Sequence, residues 1–252
     1  MWAPPMIVET EIIGPVRNVL LNRAEKRNAL NGAMIQALED IFSTPPGPEE
    51  RLAVIRAAGP VFCAGLDLSD HSVETNPIEG MLHKIETYPL PVVAVVQGDA
   101  IAGGNELALH CDIVVASTAA RFGMSLAQIG LVPSWFLIKK LLEVAGPVIT
   151  RRILLLGDPL LAREVHELGL ISHVAEPDAL EATAQSVIDR LAANAPLSLK
   201  AMKALIVREM TFRDRLPHAD LDTMVVEVNN SADAKEGMAA RLAKRPANFQ
   251  GR

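Results

Sequence analysis

Residues 98–111, GDAIAGGNELALHC, set two adjacent glycines ahead of a carboxylate, Glu106, in a largely small and apolar run, with Asp99 the one other carboxylate of the stretch, before the glycines. AGGNELALH suits a compact helix starting near Gly103. The first amides of such a helix lack intrahelical acceptors, and its start favours an anion or a polarised oxygen. Glycine there lets a ligand approach closely. Glu106 follows Gly103 by three residues, so the two share a helix face. An amide donor beside a carboxylate suits chemistry next to a carbonyl. The amide stabilises an enolate oxygen as it forms, and the carboxylate takes or delivers a proton at carbon. Taken alone, the stretch also fits a Glu106 that only complements the helix dipole.

The flanking segments, PVVAVVQG and CDIVVAS, have strand length and composition. Upstream, MIVETEIIG and VRNVLLN read as a hairpin turning at Gly14 and Pro15. Residues 32–42 place Met34, Ile35, Leu38, Ile41 and Phe42 at helical spacing, and TPPGP ends that helix. LAVIRA reads as a buried strand, AGPVFCAGLDLSDHS as irregular, and residues 77–87 as a helix. Strand, strand, helix units repeated in this way imply an α/β architecture. After Pro133 the pattern turns helical: SWFLIKKLLEVAG, PVITRRILLLG and LAREVHELGL, then a short strand ISHVA and a long helix over 176–193. PLSLKAMKALIVREM, RDRLPHADLDTMVVEVNNS and DAKEGMAARLAKR follow as helices with apolar stripes. With no strands left to cover, those stripes are expected to pack on the first unit or on another copy of the chain. The expected division is a core over 1–195 and a helical oligomerisation unit over 196–252.

The 252 residues are 50% hydrophobic and 21% charged, ordinary for a soluble globular protein. A formal net charge of −6 argues against a general nucleic-acid binder, which needs a basic surface. No apolar run is long enough for a membrane span, and the N-terminus lacks a secretory pattern, so a cytoplasmic location is expected. Cys63 and Cys111 sit in apolar settings without metal or redox spacing and are expected to be buried free thiols. No metal site is expected, and no histidine shows metal or triad spacing. The Gly103, Gly104 pair has neither a dinucleotide fingerprint nor a P-loop spacing.

GDAIAGGNELALHCDIVVAS resembles the signature of the crotonase superfamily, the enoyl-CoA hydratase/isomerase family. Four other segments fall in that family's order: LNRAEKRNALN, GPVFCAGLDL, RFGMSLAQIGLVP and EGMAARLAKRPANF. The resemblance covers essentially the whole chain. It implies a spiral of ββα units with a C-terminal helical trimerisation domain, often assembled as a hexamer. It further implies an acyl-CoA substrate, with coenzyme A part of the substrate and no separate cofactor. The resemblance makes the backbone amides of Leu66 and Gly103 an oxyanion pair and Glu106 an acid/base. Ala64, Asp67 and Leu68 fall in the adenine-contacting loop, and Lys26, Ala29 and Leu30 in the loop around the pantetheine and phosphates. Lys244 matches a lysine that reaches the phosphates. For each lysine a solvated surface role is the alternative, and for Asp67 a turn-forming one.

One departure bears on the reaction. Hydratases of the family use a second glutamate, and Leu126 occupies its position here. The 30 residues from Ile113 to Leu142 contain no Asp or Glu, so a small shift in alignment does not restore the acid. Efficient syn hydration is therefore not expected. Where relatives carry small residues, this chain has Trp135 and Phe136, which would narrow or reshape the acyl pocket unless Trp135 only starts a buried helix. Asp70, His71 and Asp99 are candidate substitute acids, each also readable as a loop residue. Two classes follow: an acyl-CoA enzyme, including a single-base isomerase or decarboxylase, and a catalytically reduced acyl-CoA binding protein.

Overall fold

Val- and Ile-rich runs build the sheets of the computed structural model, which describes residues 6–70, 78–211 and 216–251. In chain order the strands are β1 (Val8–Ile13), β2 (Val16–Leu21), β3 (Leu52–Ala57), β4 (Val92–Val96), β5 (Ala100–Ile101), β6 (Ile113–Ser117), β7 (Arg121–Gly123), β8 (Leu160–Leu161) and β9 (His173–Ala175). The helices are α1 (Gly32–Ser43), α2 (Ile78–Thr87), α3 (Gly103–Leu109), α4 (Trp135–Leu156), α5 (Ala162–Glu167), α6 (Leu180–Ala193), α7 (Pro196–Met210), α8 (Ala219–Asn229) and α9 (Ala232–Leu242). The larger sheet has six strands in the order β1-β2-β3-β4-β6-β9, and β5-β7-β8 form a smaller one. β1 and β2 are an antiparallel hairpin. The other neighbours in the larger sheet run parallel.

β3, β4 and β6 are buried on both faces, which explains why they read as continuous apolar runs rather than alternating ones. Their side chains still divide with period two. Ala53, Ile55, Val92, Ala94 and Val114 join the main core with α1, α2 and α3. Leu52, Val54, Val93, Val95 and Val115 point the other way, against Leu180, Ala184, Ile188 and Leu191 of α6. The expected hairpin, central strands and compact helix at Gly103 are all present, and the mixed α/β fold class holds.

Several element bounds differ from the sequence reading. SWFLIKKLLEVAG and PVITRRILLLG join as α4, but Gly146 (φ 63, ψ 173) breaks the helical backbone before Pro147, so two helical pieces meet at a kink. α6 begins at Leu180 rather than 176, because the chain first turns, with Ala179 N–H donating to Glu176 O. α5 is short and its segment ends at Gly169, whose φ of +79 takes the chain out of the helix. α7 starts at Pro196, where the missing N–H costs no intrahelical bond.

The C-terminal helices bury little of their apolar surface within one chain. Lys203 is the buried residue of α7, and α8 has none. α9 instead returns to the 3-10 turn Ala127–Ile129, where a Cβ on Gly237 would come within 2.2 Å of Ile129 O. This return brings the end of the chain back against residues 127–130. Cys63 and Cys111 are free and buried. Among the described residues, no helix is long and apolar enough to cross a membrane.

Candidate active site

Two backbone segments distant in sequence are pinned side by side. Cys63 N–H donates to Asp99 O at 3.1 Å, and Ile101 N–H donates to Cys63 O at 3.0 Å. On the other side, Leu30 N–H donates to Gly65 O at 2.8 Å and Asp67 N–H to Leu30 O at 2.9 Å. Within this frame, among the described residues, the Leu66 and Gly103 amides have no protein acceptor. Gly65 has φ +93, and a Cβ there would lie 2.9 Å from Ile101 O and 3.3 Å from Gly103 N, so only glycine permits the approach. A Cβ on Gly104 would lie 2.2 Å from Cys63 O, which accounts for the second glycine of the pair.

Ala102, immediately before α3, has φ 50 and ψ −116, a strained conformation for a residue with a side chain. Its N–H donates to Gly123 O at 2.7 Å, which anchors the strained unit to β7. The chain thereby turns sharply, and α3 begins at Gly103.

Leu66 and Gly103 line one cavity of about 120 Å³ together with Ala64, Leu68 and Leu126. A broader open depression of about 850 Å³ lies against α6 and includes Ile113 and His173, but it has none of the candidate site residues in its wall. The smaller cavity is the one that joins donor amides to an apolar lining.

Glu106 is completely buried, and among the described residues neither carboxyl oxygen has a hydrogen-bond partner. Burial pushes its pKa up to about 8, against the pull of Asn105 and of the Lys140 charge; Glu79 adds to the rise. Asn105 favours the ionised form by proximity, yet its Nδ2 makes no hydrogen bond of ordinary geometry. Glu106 does not appear in the cavity wall. On its other side, His110 Nδ1 lies 2.8 Å from Glu106 O and 3.7 Å from its Oε2. Burial lowers the His110 pKa to about 3, and the nearby Lys140 charge lowers it further, so the ring is neutral at pH 7. Its contact with the carbonyl places the proton on Nδ1, and among the described residues Nε2 has no partner.

Further back, Lys140 pairs with Glu86 and lies 3.1 Å from Glu143 Oε2, all within the interior. Phe136 stacks on His110 with ring centroids 5.2 Å apart.

The remaining candidates divide. Leu30 is buried and its Cδ1 would sit 3.4 Å from a Cβ on Gly103, so it supports the site from behind. Lys26 and Lys244 are exposed, and Ala29 is half-buried. Asp67 accepts from Arg23 at 2.8 Å and from the Ser69 hydroxyl at 2.6 Å, the arrangement of a turn residue, and its pKa is held near 2. Trp135 does not line the cavity: it stacks on His218 at 4.7 Å, while Leu137, two residues on, reaches the wall. Among the substitute acids, Asp70 accepts from Gly32 N and Asp99 from the Arg121 guanidinium, as loop residues do. His71 lies outside the described residues.

The sequence reading did not single out Ser125 and Arg241, which line the cavity, or His110 behind Glu106. The i, i+4 spacing of Glu106 and His110 was the available signal for the last of these.

Residues 11–252 match the family model described as enoyl-CoA hydratase/isomerase. A putative enoyl-CoA hydratase from Thermus thermophilus is 34% identical, over 94% of this chain and 98% of that one. An enoyl-CoA hydratase structure from Mycobacterium avium subsp. paratuberculosis superposes with a TM-score of 0.87 at 29% identity, covering 98% of this chain and all of the other. A methylmalonyl-CoA decarboxylase in complex with 2-nitronate-propionyl-CoA gives a TM-score of 0.86 at 26% identity, covering 97% and 98%.

Proposed function

The chain belongs to the enoyl-CoA hydratase/isomerase family, and from that premise we propose that it acts on acyl-CoA thioesters through an enolate. Coenzyme A enters as part of the substrate. The thioester oxygen accepts from the Leu66 and Gly103 amides, and Glu106 moves the proton at the α carbon. The observation that carries this reading is the pair of amides in one cavity wall that have no protein acceptor among the described residues, with a buried carboxyl one turn further along α3.

Each donor to a developing oxyanion is worth about 10² to 10³ in rate, more than a donor offers to the ground-state carbonyl. A carboxyl whose pKa is about 8 can both take and return a proton near neutral pH. Because Glu106 presents no surface to the cavity in the position described, its side chain must turn to meet the α carbon.

Single-base chemistry fits best. In isomerisation, Glu106 removes a proton from one carbon of the enolate system and returns it to another. In decarboxylation, loss of carbon dioxide generates the enolate directly, and Glu106 protonates it. Hydration needs a second group to position water, and Leu126 cannot do so.

The test is turnover on a panel of enoyl, malonyl-type and aryl CoA esters, beside deuterium wash-in at the α carbon for wild type and Glu106→Gln. Exchange should fall by at least about 10²-fold in the variant with little change in affinity. Equal rates would remove Glu106 from the mechanism. Ester binding without exchange in either protein would favour an acyl-CoA carrier.

A further inference from the structure

The cavity beside the Leu66 and Gly103 amides is lined by apolar side chains and backbone except at one place. There, Ser125 and Arg241 supply its two polar side chains. Ser125 is buried, and Arg241 Nη2 donates to its hydroxyl at 3.2 Å. Among the described residues, Arg241 has no carboxylate partner. A guanidinium offers five N–H donors in a planar fork, so this one bond leaves most of them directed elsewhere.

We propose that Arg241, oriented by Ser125, binds a carboxylate on the acyl group, so that the preferred substrates are short acyl-CoA esters carrying a second acidic function. The inference rests on the acyl-CoA reading above and narrows its substrate class. A few convergent polar groups in an apolar pocket fix what the pocket accepts. A guanidinium fork matches a carboxylate in two-point geometry. Arg241 is exposed overall, and its bond to the buried Ser125 hydroxyl holds the fork at the cavity wall. The cavity, about 120 Å³, is smaller than the roughly 300 Å³ at which ordinary ligand pockets begin, which suits a short acyl group.

The other anion on such a ligand is the phosphate of coenzyme A. Lys244, three residues beyond Arg241 and past the end of α9, is placed for that group by the family resemblance, and both side chains are exposed. Arg241 instead shares its cavity with the two amides proposed to hold the thioester, where the acyl chain lies.

Calorimetry with glutaryl-CoA, its uncharged counterpart of equal chain length pentanoyl-CoA, and free coenzyme A separates these sources. Wild type should prefer glutaryl-CoA over pentanoyl-CoA by at least about tenfold, the scale of one charged hydrogen-bonded pair. Arg241→Met should abolish that preference while changing pentanoyl-CoA and coenzyme A by less than about twofold, and Arg241→Lys should restore only part of it. Equal losses on all three ligands would assign Arg241 to the phosphates and overturn the proposal. So would equal binding of both esters by wild type, with the acyl-CoA reading left standing. Failure of every coenzyme A ester to bind would overturn both.

Discussion

His110 Nδ1 donates to the carbonyl oxygen of Glu106 at 2.8 Å, and the same nitrogen lies 3.7 Å from the Glu106 carboxylate. The backbone bond fixes the tautomer, and burial holds the ring neutral with a pKa of about 3. His110 therefore cannot supply the second acid that Leu126 replaces. Glu106, at about 8, must lose its proton to act as a base. The pH dependence of α-proton exchange, measured as kcat/KM, should show one limb rising toward a plateau above about pH 8. A second limb near 6.5, the ordinary histidine value, would mean that His110 titrates in the reaction.

The same two groups shape stability. Between 4.5 and about 8 the folded chain keeps the Glu106 proton that the unfolded chain has lost, so stability falls as pH rises. Between about 3 and 6.5 the unfolded chain holds the His110 proton, so stability rises with pH. The slopes oppose each other from 4.5 to 6.5, leaving a decline from 6.5 to about 8 that belongs to Glu106. Glu106→Gln should remove that decline, with a larger gain in Tm over wild type at pH 8 than at pH 5. A gain of equal size at both would show that the carboxyl is not desolvated in the folded chain.

The helix at Gly103 and its carboxylate were legible because their signals are local: paired glycines, a helix of one or two turns and strand-like runs on both sides. The strands of the parallel sheet were legible for the same reason. Arg241 was not, since it reaches Ser125 across 116 residues only because α9 folds back onto residues 127–129. The partner of Trp135, His218, was equally hidden, since it comes from the C-terminal part of the chain. The Glu86, Lys140 and Glu143 cluster likewise exists only once α2 and α4 are packed. Local pattern gave elements and one half of the site, and long-range return of the chain supplied the other.

α7 is fastened to the core by one buried amine. Lys203 Nζ donates to Asp112 Oδ2 at 2.6 Å and to Leu90 O at 3.1 Å. Lys203→Met keeps the packed stem and removes these bonds, so it should cost about 1–3 kcal/mol in denaturant unfolding, given that Asp112 remains partly solvated. The double variant with Asp112→Asn should cost less than the sum of the two single changes. Additivity would mean that the ion pair contributes nothing.

The C-terminal helices leave apolar side chains in water. Leu197, Leu205 and Ile206 of α7 are 81%, 66% and 64% exposed, and Leu155 at the end of α4 is 74% exposed. Exposed apolar side chains in this number suit a surface covered by another copy of the chain, and the family resemblance points to a trimer or a hexamer. Wild type should sediment as one of these at micromolar concentration, and Leu205→Asp with Ile206→Asp should release monomers. A wild-type monomer would mean that residues 196–252 are not an oligomerisation unit.

Leu126 stands in the cavity wall with the Leu66 and Gly103 amides, at the start of the turn Ala127–Ile129, with Ser125 and Arg241 beside it. A carboxylate at that position would face the same space as the proposed thioester and could hold the water that hydration requires. Leu126→Glu should therefore raise hydration of a short 2-enoyl-CoA ester by at least about 10²-fold, the scale of one general acid or base, while α-proton exchange through Glu106 changes little. The nearby Arg241 guanidinium favours the ionised form of the new side chain, which limits the cost of placing it in an apolar wall. Leu126→Gln is the control, because it fills the same volume without a titrating group. Hydration that rises equally in both variants would point to better access for water and away from acid/base chemistry. No rise in Leu126→Glu, with α-proton exchange intact, would show that hydration is limited by something other than the missing carboxylate.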